Sequence, residues 1–303
     1  MLVFVTGASG FIGSAVVAEL VASGHEVIGL ARSDGSAQAI EAAGAKVQRG
    51  SLDDLDSLRA GAKAADGVIH LAYIHDFAQI AAAAEADLAA IQTIGAELAG
   101  SDRPLVIASG TLGLTPDRVA TERDFPEPSA LPHPRQVNAQ ETLALAERGV
   151  RSSVLRLPPS VHGEGDHGFV ATLIGVARER GVSGYVGDGS NQWSAVHRLD
   201  AARLFRLAVE SAPAGSVLHG VGEQGVATRE IAEAIGRHLE VPAVSVAPDA
   251  AVEHFGWIGR FFGANAAASN TITRELLGWD PIGPGLIADL DQGHYFAPAA
   301  LSR

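Results

Sequence analysis

The 303-residue chain has no cysteine, which excludes disulfides, thiol catalysis and thiolate-held metals. Lysine is almost as scarce. Lys46 and Lys63 are the only two, and the rest of the 22 basic residues are arginine, so lysine-dependent chemistry has few places to sit. Tyrosine occurs only at 73, 185 and 295. Positive charge is outweighed, with 22 basic against 35 acidic residues and a formal net charge of −13. Nucleic acids and anionic membranes are bound through basic surfaces, so neither is expected as a partner. No apolar run reaches the roughly 18 residues of a membrane span. No basic, cleavable leader precedes the apolar strand pattern that opens at Leu2, so a soluble cytoplasmic protein is expected.

What is present begins at once. Leu2 to Val5 reads as a strand, and it runs into Gly7-x-x-Gly10-x-x-Gly13 and then an amphipathic stretch from Phe11 to Ala22. Strand, glycine turn and helix in that order form a nucleotide-phosphate cradle. Gly7 allows the tight turn, Gly10 lets a pyrophosphate approach the backbone, and Gly13 lets the helix pack close to the sheet. Phosphates would then rest on the free amides of Ser9, Gly10, Phe11, Ile12 and Gly13, at the positive end of the helix dipole. A small-molecule substrate beside a nucleotide cofactor is the expected ligand set.

From residue 1 to about 157, apolar strands alternate with helical stretches, which is the pattern of a parallel sheet with crossover helices. Strands are expected at Leu2–Val5, Glu26–Ala31, Lys46–Arg49, Gly67–Leu71, Leu105–Ala108 and Ser153–Arg156. Between them lie helical stretches near Ala37–Ala42, Phe77–Leu98 and Gln136–Glu147, and a turn at Leu55–Leu58. Beyond Pro158 the alternation decays. Phe169–Arg180 and Leu199–Val209 read as helices, Ser216–Val221 as a strand, Thr228 as the N-cap of a helix reaching Leu239, and Ile272–Leu277 as a short helix ended by Gly278. The expected architecture is α/β: a Rossmann-type, doubly wound parallel sheet with a smaller, interleaved C-terminal substrate lobe. Residues 1–157 would form the dinucleotide-binding domain, with parts of 190–225 returning to it. Residues 158–190 and 226–303 would form the lobe.

Thr6 before the glycines gives T-G-x-x-G-x-x-G, which resembles the short-chain dehydrogenase/reductase superfamily in its extended, epimerase-like branch. Gly67-Val68-Ile69-His70-Leu71-Ala72 is similar to that family's fourth strand, and Leu155-Arg156-Leu157-Pro158-Pro159-Ser160-Val161-His162-Gly163 to its sixth strand and following loop. Gly187-Asp188-Gly189 with His197 and Asp200 resembles a later landmark. The resemblance implies that Leu52 flanks an adenine, that Leu71, Ala72 and Tyr73 lie along the ribose and nicotinamide, and that the loop holding Pro158 and Ser160 meets the nicotinamide. It also implies a homodimer through long helices such as Phe77–Leu98.

In dinucleotide folds an acid about 20 residues after the glycines holds the ribose 2′-hydroxyl. Here the second strand ends Ala31-Arg32-Ser33-Asp34. Arg32 and Ser33 suit a 2′-phosphate, because a guanidinium makes charge-assisted bonds to phosphate oxygens. NADP(H) is therefore expected over NAD(H), with Asp34 as the ribose ligand in the contrary case.

Family members pair a tyrosine with a lysine four residues on, and the lysine tunes the tyrosine for proton transfer. Anchoring on Glu141 places His133 and Val137 at those two positions. Thr111, after the fifth strand, stands at the family's catalytic hydroxyl. The candidates to replace the missing acid are His75, His133, His162 and His167, with Tyr73 in reserve, since histidine titrates near neutral pH. Asp76 and Asp166 could stabilise a cationic substrate. His162, Glu164, Asp166 and His167 are alternatively readable as metal ligands, although no metal is expected. The function expected is an NADP(H)-dependent oxidoreductase that reduces a carbonyl or imine without the usual pair. The alternative is a non-catalytic NADP(H)-binding redox sensor or scaffold.

Overall fold

The computed structural model of the protein describes residues 1–74, 79–125 and 134–297. Its first half is an alternating series: β1 (Leu2–Thr6), α1 (Phe11–Ala22), β2 (Glu26–Ala31), α2 (Asp34–Ala42), β3 (Lys46–Arg49), α3 (Leu55–Ala64), β4 (Gly67–His70), α4 (Ile80–Leu98), β5 (Pro104–Gly110), α5 (Pro134–Ala144) and β6 (Arg151–Leu157). The second half continues with β7 (Ser160–His162), α6 (Phe169–Arg180), β8 (Ser183–Val186), β9 (Gln192–His197), α7 (Arg198–Ser211), β10 (Ser216–His219), β11 (Glu223–Ala227), α8 (Thr228–Leu239) and β12 (Ala243–Val246). Short helical turns follow, among them Thr271–Leu277 and Leu286–Asp291.

Seven strands form one sheet in the order β10-β6-β5-β4-β1-β2-β3, and every pairing in it is parallel. This is the Rossmann-type, doubly wound arrangement. Helices cover both faces, so its strands are apolar on both sides. Val3, Val5, Ile69, Val106 and Leu155 meet α1 and α7 on one face, while Phe4, Val68 and Leu105 meet Leu58, Ile91 and Ile94 of α3 and α4 on the other. The strand order reverses between β1 and β4. In open α/β sheets the ligand crevice lies at the carboxyl ends of the strands at such a switch point. The glycine turn leaves β1 there, and Leu71 to Tyr73 leave β4 beside it.

The remaining strands build two small sheets, β11-β9-β7 and β12-β8, around a second core that includes Trp193, Ile231, Ile235, Phe255 and Phe262. Asp200 fastens this region to α7. Its carboxylate accepts from the amides of Ile282 and Gly283 at 3.0 and 2.7 Å, and its own carbonyl accepts from Trp279 Nε1 at 3.1 Å.

Several sequence expectations need correction. The turn at Leu55–Leu58 is the start of α3, a helix capped by Asp54, whose carboxylate accepts from the Ser57 amide at 3.2 Å. Its buried stripe is only Ser57, Leu58, Gly61 and Ala62, too small to stand out by hydropathy. Thr228 is not an N-cap. It lies inside α8 as the first helical residue after Ala227, and its hydroxyl donates to Asn191 Oδ1 at 2.7 Å instead. The long fourth helix starts at Ile80, and Phe77 lies outside the described residues.

Candidate active site

The glycine turn has the geometry that its spacing calls for. Gly7 sits at φ +68°, where a Cβ would come within 2.8 Å of the Ala72 amide nitrogen. A Cβ on Gly13 would overlap the Gly7 carbonyl. Both positions therefore need glycine for steric reasons. Gly10 precedes α1 without any side-chain cap, and the first turn of α1 holds no acid. Its leading amides and dipole thus face the crevice uncompensated, as a phosphate cradle requires. Ser9 and Gly10 are exposed at its mouth, and Phe11 and Ile12 are half-buried. The ring of Phe11 is contacted from later in the chain: the Arg198 guanidinium at the start of α7 lies 5.0 Å from its centroid, and His167 meets it edge-on at 5.9 Å.

At the tip of β2, Arg32 is exposed and makes no hydrogen bond or ion pair to a described residue. Ser33 caps α2 by accepting from the Ser36 amide at 3.2 Å. Asp34 pairs with Arg49 at 2.6 Å. Leu52 is half-buried and packs on the core beneath β2.

On the other side of the switch point a buried chain of polar groups ties β1, β4, α4 and α5 together. Thr6 Oγ1 lies 2.8 Å from His70 Nδ1, His70 Nε2 lies 3.2 Å from Asp87 Oδ1, and Asn138 donates to Asp87 Oδ2 at 2.7 Å. The amides of Leu71 and Ala72 donate back to Thr6 Oγ1 at 3.2 and 3.1 Å. Burial pushes the Asp87 carboxyl up, but the hydrogen bonds from His70 and Asn138 prevail, and its net shift is downward.

Thr111 follows β5, with its amide bonded to the Leu157 carbonyl at 3.0 Å. Its hydroxyl is buried and has no partner among the described residues, and the same holds for the hydroxyl of Ser160 on β7. Buried hydroxyls are rarely left so, and a ligand is one remedy. Pro158 is buried beside them.

His75, Asp76 and His133 lie outside the described residues. His162 is fully buried; its Nδ1 is 2.8 Å from Asp289, its ring sits 5.5 Å from that of His197, and its Nε2 has no partner among the described residues. Asp166 accepts from Tyr295 at 2.8 Å and from the Gly168 amide at 2.6 Å, and burial raises its carboxyl. These groups point to separate partners, and among the described residues no set of three or more histidines and acids is arranged around a metal position.

One side chain was missed by the sequence reading. Val137, aligned with the family lysine, is 40% exposed. The inward face of α5 carries Asn138, Ala139 and Thr142, and Arg135 turns the same way. Its guanidinium stacks 4.2 Å from the Tyr73 ring centroid and donates to the Ala108 carbonyl at 3.3 Å. Anchoring on Glu141 hid it. Helical periodicity alone separates the exposed positions 137, 140 and 141 from the inward positions 135, 138, 139 and 142.

The doubly wound sheet, glycine turn and polar crevice define the class: an α/β protein of dinucleotide-binding type. The sequence profile of the NAD dependent epimerase/dehydratase family matches residues 3–219, and the chain belongs to that family. It is 47% identical to an uncharacterized protein of Schizosaccharomyces pombe over 98% of this chain and 100% of that one. A 4-hydroxy-2-methyl-3-oxo-4-farnesyl-3,4-dihydroquinoline-1-oxide ketoreductase of Stigmatella aurantiaca is 28% identical over 72% of this chain and 67% of its own. Among solved structures, UDP-glucose 4-epimerase of Thermotoga maritima with UDP-glucose superposes with a TM-score of 0.77, at 21% identity and over 98% of both chains. The family is one of nucleotide-dependent enzymes of oxidoreductase type.

Proposed function

We propose that the protein is an NADPH-dependent reductase of a small-molecule carbonyl or imine. The observation that carries this reading is the buried hydroxyl of Thr111 at the exit of β5, next to the crevice, which has no partner among the described residues. A structural hydroxyl at a strand end would satisfy itself on nearby backbone. This one is free to donate to a substrate oxygen or nitrogen.

The residues present fit a dinucleotide. The uncapped amides after Gly10 would hold the pyrophosphate, and Arg32 the 2′-phosphate. Leu71, Ala72 and Tyr73 would line the ribose and nicotinamide side, with Pro158 and Ser160 opposite. When bound, the reduced nicotinamide supplies hydride to the substrate carbon. NADPH is favoured because the neighbouring acid, Asp34, is already paired with Arg49, whereas Arg32 has no described partner. A ketoreductase among the relatives favours reduction as the chemistry.

The test is a pair of variants. Thr111→Val keeps the shape and removes the hydroxyl, so turnover of a reduced carbonyl should fall roughly a hundredfold while NADPH affinity stays unchanged. Thr111→Ser should retain most of the turnover. Unchanged turnover in Thr111→Val would remove the support on which the reading stands.

A further inference from the structure

We propose that Tyr73 and Arg135 together replace the absent tyrosine–lysine pair, with Tyr73 handing its phenolic proton to the substrate and the Arg135 guanidinium holding the charge left behind. The proposal rests on the reductase reading and supplies the acid that reading lacks.

Position comes first. Tyr73 lies three residues beyond the end of β4, at the switch point. Arg135 arrives from α5 and donates to Ala108, which lies on β5 three residues before Thr111. The aromatic ring, the cation and the unpartnered hydroxyl are thus all carried to the carboxyl ends of the same two neighbouring strands.

Chemistry comes second. A guanidinium is flat, delocalised and weakly hydrated, so it can stack on an aromatic face in a half-buried place where an ammonium ion would lose more hydration. With both lysines lying before residue 64, arginine is the cation this chain has to offer. Among the described residues, the charged group that bears on both members of the pair is Asp87 from α4, with His70 behind it. Burial pushes the Tyr73 phenol above its ordinary value, Arg135 pulls it down and Asp87 pushes it up, with a net upward shift. Tyr73 is therefore protonated at neutral pH, the form that a reduction consumes. As the proton leaves, the phenolate gains the Arg135 cation on its ring face.

Anchoring comes third. Asn138, one turn after Arg135, is held by Asp87 and by the Ala84 carbonyl at 2.9 Å. The backbone before Tyr73 is held by the two amide bonds to Thr6. Both members of the pair are thus fixed by the same buried chain of hydrogen bonds, which makes Asp87 and Thr6 positioning residues.

The step balances with one co-reactant, a reduced nicotinamide. The substrate carbon accepts a hydride, its C=O π pair moves to oxygen, and that oxygen takes the proton as the Tyr73 O–H bond breaks. The products are an alcohol, the oxidised nicotinamide and a Tyr73 phenolate. Tyr73 is half-buried, so solvent can return its proton.

The deciding experiment needs no substrate. Ultraviolet absorbance of the three tyrosines is titrated into the alkaline range for the wild type, Arg135→Gln and Arg135→Lys, with Tyr73→Phe identifying which transition belongs to Tyr73. Melting curves confirm that each variant is folded. The Tyr73 midpoint should rise by about one unit in Arg135→Gln and return most of the way in Arg135→Lys. An identical midpoint in Arg135→Gln overturns the pairing. On a ketone that the wild type reduces, Tyr73→Phe should lower kcat about a hundredfold with NADPH affinity intact. Full kcat in Tyr73→Phe overturns its role as the acid and leaves the reductase reading standing. A wild type that reduces no carbonyl overturns Tyr73 as a carbonyl acid along with the reductase reading, whatever the titration shows of the pairing.

Discussion

Thr6 Oγ1 and His70 Nδ1 stand 2.8 Å apart, and the other bonds of Thr6 decide which of them donates. The hydroxyl oxygen already accepts from the amides of Leu71 and Ala72. Its own hydrogen is left for His70 Nδ1, so the imidazole carries its hydrogen on Nε2 and directs it at Asp87. The strand that delivers the glycine turn is in this way latched to the peptide that leaves β4. The two walls of the crevice hold one another in place.

Thr6→Val should break that latch. It leaves the buried Nδ1 of His70 and the Ala72 amide without their partner, while the Leu71 amide keeps the Thr6 carbonyl, at a cost of about 1–3 kcal/mol in stability. Thr6→Ser should recover most of the loss. Chemical denaturation of the three proteins measures it, and a valine variant as stable as the wild type would show that the latch contributes nothing.

Gly13→Ala should be worse than Gly24→Ala. A Cβ at position 13 meets the Gly7 carbonyl, whereas one at Gly24 meets nothing within 4 Å, although its φ of +83° still carries strain. Overpacking of this kind typically costs about 1–3 kcal/mol. The Gly13 variant should also lose NADPH binding, because the turn and the first amides of α1 must separate; fluorescence titration reads this directly.

Arg32→Ala should weaken NADPH by roughly tenfold or more, the worth of a charge-assisted hydrogen bond, and should leave NADH nearly unchanged. Equal losses for the two nucleotides would sink the assignment of the 2′-phosphate to Arg32.

Stability should fall as the solution is acidified from neutrality, in part through His219. Burial, helped by the Arg156 guanidinium, lowers this imidazole from 6.5 to about 4, against opposing contributions from Glu122, Asp124 and the Ser269 carbonyl. A group depressed on folding binds its proton more tightly in the unfolded chain. Its stabilising effect is therefore complete above 6.5 and is lost as the pH falls toward 4, at roughly 1.4 kcal/mol per pH unit within that window. His219→Gln should flatten that part of the curve in a denaturation series. An unchanged slope would show that His219 does not titrate there.

The sheet was legible because its strands are apolar on both faces and its turns carry glycines in the right places; Gly7 and Gly13 could be assigned their tasks from spacing alone. The small sheets escaped. β7, β8, β11 and β12 are three to five residues long, and their pairing depends on contacts distant in sequence. In the crevice, Thr111 was placed after the fifth strand through the family resemblance, and it does follow β5. Arg135 was not legible, because a motif alignment fixed on Glu141 drew attention to Val137 and away from the helix face that turns inward. Nothing in the sequence neighbourhood of His70 reveals Asp87 as its partner, or Asn138 as the partner of Asp87.

Reduction with NADPH is read directly as NADPH consumption against a panel of aldehydes, ketones, cyclic imines and nucleotide sugars, with saturable NADPH binding verified on the same sample. Turnover of at least one carbonyl or imine is expected, faster with NADPH than with NADH. Tight NADPH binding with no turnover across the panel would contradict it and favour a protein that senses the cofactor without using it.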